Sequence, residues 1–277
     1  MEEKEIEEKK EEEEERGVAR IGRSILSGKK AIISGAGKGI GRAIALRFAL
    51  NGADVAAVSR SQTDIDRLEQ EITSRFDVKF CGIAADISTR EGASGIVARA
   101  ISANGGLDIL VCAAGYPMLT ELWEQPLHKI QEEDFNNVLR IDFFGSLRLI
   151  QEALPFMIEQ QRGVIVLFSS TPAITGYNKG APYTVAKAAN IGLAKEIASE
   201  YGRYNIRAYA VAPGNIRTSR TFDQITPEER ERLANESAMK RWGEPEEVAD
   251  TVVALASDKM SFVTGQTIIV DGGTVMH

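Results

Sequence analysis

Lys30-Ala31-Ile32-Ile33-Ser34-Gly35-Ala36-Gly37-Lys38-Gly39-Ile40-Gly41 decides the fold. A short apolar strand runs straight into a glycine-rich turn, and a helical pattern follows at Ile44, Leu46, Phe48, Ala49 and Leu50. Glycines let the backbone turn sharply and come close to a pyrophosphate. The helix that opens there offers free N–H groups and the positive end of its dipole. The spacing is G-x-x-x-G-x-G, through Gly35, Gly39 and Gly41, with Ile40 between the last two. It is not a nucleoside-triphosphatase loop, because Lys38 is followed by Gly39 and not by Ser or Thr. Alone, such a turn is often only a tight strand-to-helix connection.

Beyond it, apolar runs alternate with helical patterns, the signature of an α/β parallel sheet with helices on both faces. Strands are predicted at 30–34, 54–59, 79–84, 107–112, 163–168, 206–211 and 266–270. Helices are predicted at 40–51, 63–76, 89–104, 132–159, 181–201 and 246–257, with a smaller one at 227–236. This is a doubly wound, Rossmann-type sheet of seven strands, whose ligands sit beyond the carboxyl ends of the strands.

A second constellation lies downstream. Tyr183 and Lys187 are four apart on a predicted helix and share a face. A lysine ammonium there can stabilise a tyrosine phenolate, whose pKa in water is about 10. Ser170, at the end of a predicted strand, can hold a carbonyl oxygen. Together these form a proton-transfer device for a carbonyl or alcohol, although Tyr-x-x-x-Lys by itself is a weak signal.

From about Gly28 to the C-terminus the sequence resembles the short-chain dehydrogenase/reductase family. Ser34–Gly41 is similar to its T-G-x-x-x-G-I-G turn, with Ser for Thr. Cys112-Ala113-Ala114-Gly115 resembles its N-A-A-G segment, and Ser170, Tyr183 and Lys187 fall at its catalytic spacing. Pro213-Gly214-Asn215-Ile216-Arg217-Thr218 resembles its P-G-x-x-x-T loop. Arg241-Trp242-Gly243-Glu244-Pro245-Glu246-Glu247-Val248-Ala249 and Thr264-Gly265-Gln266…Asp271-Gly272-Gly273 resemble its C-terminal signature. The nearest subfamily is that of the 3-oxoacyl-(acyl carrier protein) reductases and related ketoreductases.

The resemblance implies hydride transfer between NADP(H) and a ketone or alcohol, with a small-molecule or acyl-thioester carbonyl as substrate. Tyr183 is then the proton donor or acceptor. Lys187 supports it and holds the nicotinamide ribose, and Ser170 polarises the carbonyl. Ser169 lacks the family spacing. Gly35, Lys38, Gly39, Ile40, Gly41, Ala113, Ala114, Gly115, Pro213 and Gly214 are expected to line the cofactor, and Ile216 and Thr218 to meet its carboxamide end. Asp86 resembles the adenine-binding Asp, with Ile87 backing the ring; a helix N-cap is the alternative reading of Asp86, and the two are compatible.

Cofactor choice is read at the end of the second strand. NAD sites usually place a carboxylate there. Here the strand ends in Ser59-Arg60, and Lys38 comes near the same spot. Two cations and a serine suit a 2′-phosphate, against the alternative that both cations are ordinary surface charges.

Two positions depart from the family pattern. Asp142 stands where the family has a proton-relay Asn, and Cys112 replaces the Asn of N-A-A-G. A carboxylate accepts hydrogen bonds but donates none, and near Lys187 it offsets part of the lysine's effect on Tyr183. Cys112 is expected only to pack. The stretch between Gly115 and Asp142 is longer than in simple members. It carries Tyr116, Met118, Leu119, Leu122 and Trp123, either as a wall for a bulky apolar substrate or as a loop packed on its own helix. The short lid at 220–240 fits a carrier-bound substrate or an open cleft.

Composition bounds the rest. The chain has 277 residues, 43% of them hydrophobic, and a net charge of -7, which argues against nucleic acid as a general partner. Much of that charge sits in residues 1–16. Residues 1–27 are expected to form an acidic, solvated extension to a domain at 28–277, a partner-binding arm being the sharper alternative. No run of about twenty apolar residues is present, and no secretory signal precedes the first strand. Cys81 and Cys112 read as reduced core residues of a cytoplasmic protein. With only His128 and His277, a histidine metal site is not expected. Phe143, Leu147, Leu149, Ile150, Leu154 and Phe156 exceed what one helix needs against its own sheet. With the family's habits, this leads to the expectation of a homotetramer. Alternatives to a reductase are an NADP-linked alcohol or sugar dehydrogenase, and a weakly active NADP-binding scaffold.

Overall fold

The computed structural model describes residues 24–117 and 119–276. Seven strands form one parallel sheet: β1 (Lys30–Ser34), β2 (Asp54–Ser59), β3 (Phe80–Ala84), β4 (Ile109–Cys112), β5 (Gly163–Phe168), β6 (Ile206–Pro213) and β7 (Gln266–Val270). Their spatial order is β3-β2-β1-β4-β5-β6-β7. The order reverses between β1 and β4, which register Ala31 on Ile109 through Ser34 on Cys112. The doubly wound expectation is met. Strand bounds moved by two residues at most, because β3 and β4 start later and β6 runs on to Pro213.

The helices are α1 (Gly39–Leu50), α2 (Gln62–Arg75), α3 (Arg90–Asn104), α4 (Thr120–Glu124), α5 (Glu132–Asp142), α6 (Phe144–Glu159), α7 (Pro172–Thr175), α8 (Ala181–Tyr201), α9 (Pro227–Glu236) and α10 (Pro245–Ala256). Alternation along each strand feeds two cores. Ala31, Ile33 and Val55 join Phe48, Leu68, Tyr209 and Val252 on one face. Ile32, Ala56 and Leu110 join Ile96, Ile150, Met157 and Ile197 on the other. All six residues of β5 are buried, as expected of a central parallel strand covered on both sides. Phe48 is fully buried, worth about 1.5–3 kcal/mol relative to exposure.

One expected helix is two. The run 132–159 breaks at Phe143, where φ is −107° and ψ −62°. There the Asp142 carbonyl accepts from the side chains of Asn190 at 3.1 Å and Ser146 at 3.2 Å, and such side-chain insertion into the helix ladder bends it. Gly145, just past the break, lets α6 lie on Ile87, whose Cδ1 would be 2.7 Å from an added Cβ. The short helices α4 and α7 were not expected.

Packing begins before Gly28. Leu26 is fully buried and its N–H donates to the Asn51 carbonyl at 3.1 Å. The expected extension over residues 1–23, Met118 and His277 lie outside the described residues. Among the described residues no helix is long and apolar enough to cross a membrane, and no cluster of His, Cys, Asp or Glu could hold a metal ion.

Candidate active site

At the carboxyl ends of the strands lies a cleft of about 510 Å³. It is lined by every residue singled out for catalysis: Ser170, Tyr183, Lys187 and Asp142. Around them lie the glycine turn (Gly35, Lys38, Gly39, Ile40, Gly41), Ser59, Arg60, Asp86, Ile87, Ala113, Ala114, Gly115, Pro213, Gly214, Ile216 and Thr218.

The floor is shaped by close backbone approach. Gly35 has φ +75°, and a Cβ on it would lie 2.7 Å from the Ala114 nitrogen. A Cβ on Gly41 would lie 2.3 Å from the Gly35 oxygen. Both positions exclude any other side chain. Ser34 fastens β1 to β4, its hydroxyl donating to the Val111 carbonyl and accepting from the Ala114 N–H, each at 3.3 Å. No side-chain hydrogen bond caps α1, so its first turn presents backbone N–H groups to the cleft. That cradle, its size and its position at the switch point fit a dinucleotide.

Asp86 is not a helix cap: Thr89 caps α3, while the Asp86 carboxylate accepts from the Ser88 N–H at 2.8 Å. Ile87, beside it, is buried. On the opposite rim the Gly214 N–H donates to the Val270 carbonyl at 3.0 Å. The Thr218 hydroxyl is 2.9 Å from that of Thr221.

The candidate catalytic groups come from three elements. Tyr183 and Lys187 lie in the first two turns of α8, with the Lys187 Nζ 5.5 Å from the Tyr183 ring centre. Ser169 and Ser170 follow β5. Both line the cleft, but the Ser169 hydroxyl donates to the Lys187 carbonyl at 2.9 Å and so anchors α8. Lys187 and Asp142 are buried, and the Lys187 Nζ donates to Asp142 Oδ1 at 2.9 Å. The other carboxylate oxygen accepts from the Tyr116 N–H at 2.5 Å. Burial pulls the Lys187 pKa down, but the Coulombic pull of Asp142 and Tyr183 and the hydrogen bond to Asp142 together hold it above its ordinary value. Asp142 therefore bridges the loop after β4 to the lysine directly.

Two site residues were not read from the sequence. Asn190, buried on α8, donates to the carbonyls of Asp142 and Phe168 at 3.1 and 3.0 Å. Its signal was a polar residue three past Lys187 on an otherwise small and apolar helix face. Asp64 also lines the cleft. β2 ends without a carboxylate, as expected, but Asp64 brings one to the cleft from the first turn of α2. Cys112 packs, as expected. Burial pushes its thiol up to about 12, against a Ser146 hydrogen bond and the Lys187 charge.

Beside Tyr183 sits Trp123, edge-on to its ring at 5.8 Å and tilted on Tyr177 at 5.8 Å. The Gly180 N–H donates to the Trp123 carbonyl at 2.9 Å. Gly180 has φ +64°, and a Cβ there would lie 2.2 Å from the indole. Lys179 pairs with Glu124 at 2.7 Å. The segment carrying α4 is thus strapped to the loop before α8. With Tyr116, Leu119 and Leu122 it encloses a small apolar recess beside Tyr183. On the lid, Phe222 lies between the guanidinium groups of Arg217 and Arg230, 4.7 and 4.3 Å from its ring centre.

Comparison with known proteins agrees with this geometry. The family model described as Enoyl-(Acyl carrier protein) reductase matches residues 35–275. A 3-oxoacyl-[acyl-carrier-protein] reductase FabG of Thermotoga maritima is 36% identical over 91% of this chain and 99% of its own length. A glucose 1-dehydrogenase of Gluconobacter oxydans is 34% identical over 91% and 94%. Among solved structures, a 3-oxoacyl-[acyl-carrier protein] reductase from Brucella melitensis has a TM-score of 0.86 at 32% identity, over 92% of this chain and 94% of that one. A Brucella melitensis reductase of the same description with bound NAD has a TM-score of 0.83 at 32% identity and the same coverage. With the glycine turn, the serine, the tyrosine and the lysine all brought to one cleft, the chain belongs to the short-chain dehydrogenase/reductase family, among the members like the 3-oxoacyl-[acyl-carrier-protein] reductases.

Proposed function

We propose that this protein is an NADPH-preferring carbonyl reductase. The observation that carries the reading is the convergence of Ser170, Tyr183 and Lys187 on a cleft whose other end is the glycine cradle. When bound there, a reduced nicotinamide cofactor supplies the hydride. Ser170 orients and polarises the carbonyl oxygen, and Tyr183 gives that oxygen its proton. Lys187 places positive charge beside the tyrosine and offers ammonium protons to a ribose, while Asp142 fixes its position. The apolar recess under Trp123 keeps water from one side of Tyr183 and favours substrates with an apolar substituent next to the carbonyl. A 3-oxoacyl thioester is one such substrate. The relationship to a sugar dehydrogenase keeps oxidation of a sugar or alcohol as the second reading. Turnover of NADPH with 3-oxoacyl thioesters and compact ketones, beside turnover of NADP⁺ with sugars and alcohols, tests the proposal. Reduction of at least one ketone supports it, and activity confined to sugar oxidation favours the second reading.

Preference for NADP(H) rests on Ser59 and Arg60 at the end of β2. Among the described residues Arg60 has no ion-pair partner, and it lines the cleft. A charge-assisted hydrogen bond contributes about 1.5–3 kcal/mol, or about ten- to hundred-fold in affinity. Arg60→Asp is expected to weaken NADPH by about that factor while leaving NADH nearly unchanged. Equal dissociation constants for the two cofactors in the parent protein would sink this part of the reading.

A homotetramer is also proposed. Leu149, Ile150 and Leu154 belong to the chain's own core. Phe143, Leu147 and Phe156 are half-buried, while Phe144 on α6 and Val185 on α8 stand 43% and 47% exposed. β7, at the sheet edge, holds no fully buried residue. Light scattering at micromolar concentration checks the assembly, and a monomer mass contradicts it.

A further inference from the structure

We propose that Asp64 is a specificity-determining residue, a counter-ion that engages Lys38 and so holds the cleft open to NAD(H) as well as NADP(H). The inference rests on the dinucleotide reading of the cleft, not on the NADP preference argued from Arg60. Asp64 is the third residue of α2, and its N–H donates to the Ser61 hydroxyl at 3.2 Å. An acidic residue at that position ordinarily completes the cap by accepting from the cap residue's own N–H. Here the Ser61 N–H donates instead to the Ser59 hydroxyl at 3.3 Å. The Asp64 carboxylate is thereby released from capping. It reaches across to the glycine turn and pairs with the Lys38 Nζ at 3.3 Å.

The two partners differ in environment. The Asp64 side chain is 11% exposed and that of Lys38 72%. The carboxylate is the largely buried member and the lysine the exposed one. Gly37 locks the arrangement, because a Cβ there would lie 2.6 Å from the Ser59 hydroxyl and 3.1 Å from the Asp64 Cβ. The glycine turn, the end of β2 and the start of α2 are therefore in contact at the point where Ser59 and Arg60 enter the cleft.

A phosphate monoester at this end carries about −1.5 to −2 charges at neutral pH. It gains from Arg60 and loses from a half-buried carboxylate, which salt screens poorly. Lys38 adds attraction only by leaving Asp64. A ribose with a free 2′-hydroxyl meets no such penalty, and a carboxylate can accept its hydrogen bond.

Titration calorimetry of NADP⁺ and NAD⁺ against the full chain tests the idea. Asp64→Asn is expected to tighten NADP⁺ about tenfold and to leave NAD⁺ unchanged or slightly weaker. Lys38→Met, which uncovers the carboxylate, is expected to weaken NADP⁺ and spare NAD⁺. Asp64→Ser, which keeps a helix-compatible polar residue in the first turn of α2, replaces Asp64→Asn if that variant is not stably folded. Equal tightening of both dinucleotides, or no tightening of NADP⁺ on removal of the carboxylate, overturns the assignment. Equal affinities in the parent count against the Arg60 reading alone, provided that loss of Asp64 still separates the two cofactors.

Discussion

Tyr183→Phe is expected to lower kcat by about two to four orders of magnitude, the usual contribution of a positioned general acid, while NADPH binds as it does in the parent. The substitution removes one hydroxyl and keeps the ring. The ring's edge contact with Trp123 and its place over the Lys187 ammonium therefore remain. The loss falls on the transition state, where the carbonyl oxygen becomes basic, and not on the ground state. Stopped-flow turnover beside a fluorescence titration of NADPH separates the two. Near-parental turnover in the variant refutes the assigned role, and loss of cofactor binding would mean that the residue serves the cleft's architecture.

Asp142→Ala is expected to destabilise the fold by about 3–5 kcal/mol, the cost of leaving a buried charge without its partner. In a domain of this size that corresponds to a fall in Tm of about 6–20 °C. Asp142 and Lys187 are both buried and 2.9 Å apart. The carboxylate also holds the Tyr116 N–H, so the alanine variant frees two donors at once. Asp142→Asn keeps the side chain's size and one acceptor, and costs less. The pH dependence has a definite sign. The Lys187 pKa is raised on folding, so the pair's stabilisation is complete below the lysine's ordinary value of 10.5 and is lost as pH rises above it. The gap in Tm between parent and Asp142→Ala should therefore be constant from neutral pH to about that point and close beyond it. Differential scanning calorimetry across that range checks both the size and the sign. A gap that closes on acidification through neutral pH would contradict the account of Lys187.

The sheet was legible because its signals are local. Ile32, Ile33, Val55 and Val58 alternate faces within short runs, and each run ends in glycine or in a helical pattern. The glycine turn and Tyr183–Lys187 were legible for the same reason: spacing alone puts them on one turn or one face. What escaped the sequence depends on contacts between distant segments. The break at Phe143 follows from Asn190, 48 positions from Asp142, reaching a helix carbonyl. The direct Asp142–Lys187 pair needs α5 and α8 side by side, so the sequence placed a carboxylate near Lys187 only through the family resemblance and did not show the ion pair. Asp64 drew no reading from the sequence, and only the diversion of the Ser61 N–H to Ser59 leaves its carboxylate for Lys38. Trp123 could be read as a substrate wall or as self-packing. The structure shows it strapped to Gly180 and lying against Tyr183.

Transfer of deuterium from NADPH labelled at the nicotinamide C4 is the most direct test of the central claim, that this cleft reduces a carbonyl with Tyr183 as its acid. A 3-oxoacyl thioester or compact ketone is incubated with the labelled cofactor, and the alcohol is examined by mass spectrometry and NMR. The account predicts one deuterium on the new carbinol carbon with the parent protein and a trace with Tyr183→Phe. Label in the alcohol at equal rates with parent and variant, or none with any ketone while the dinucleotide binds tightly, would contradict it.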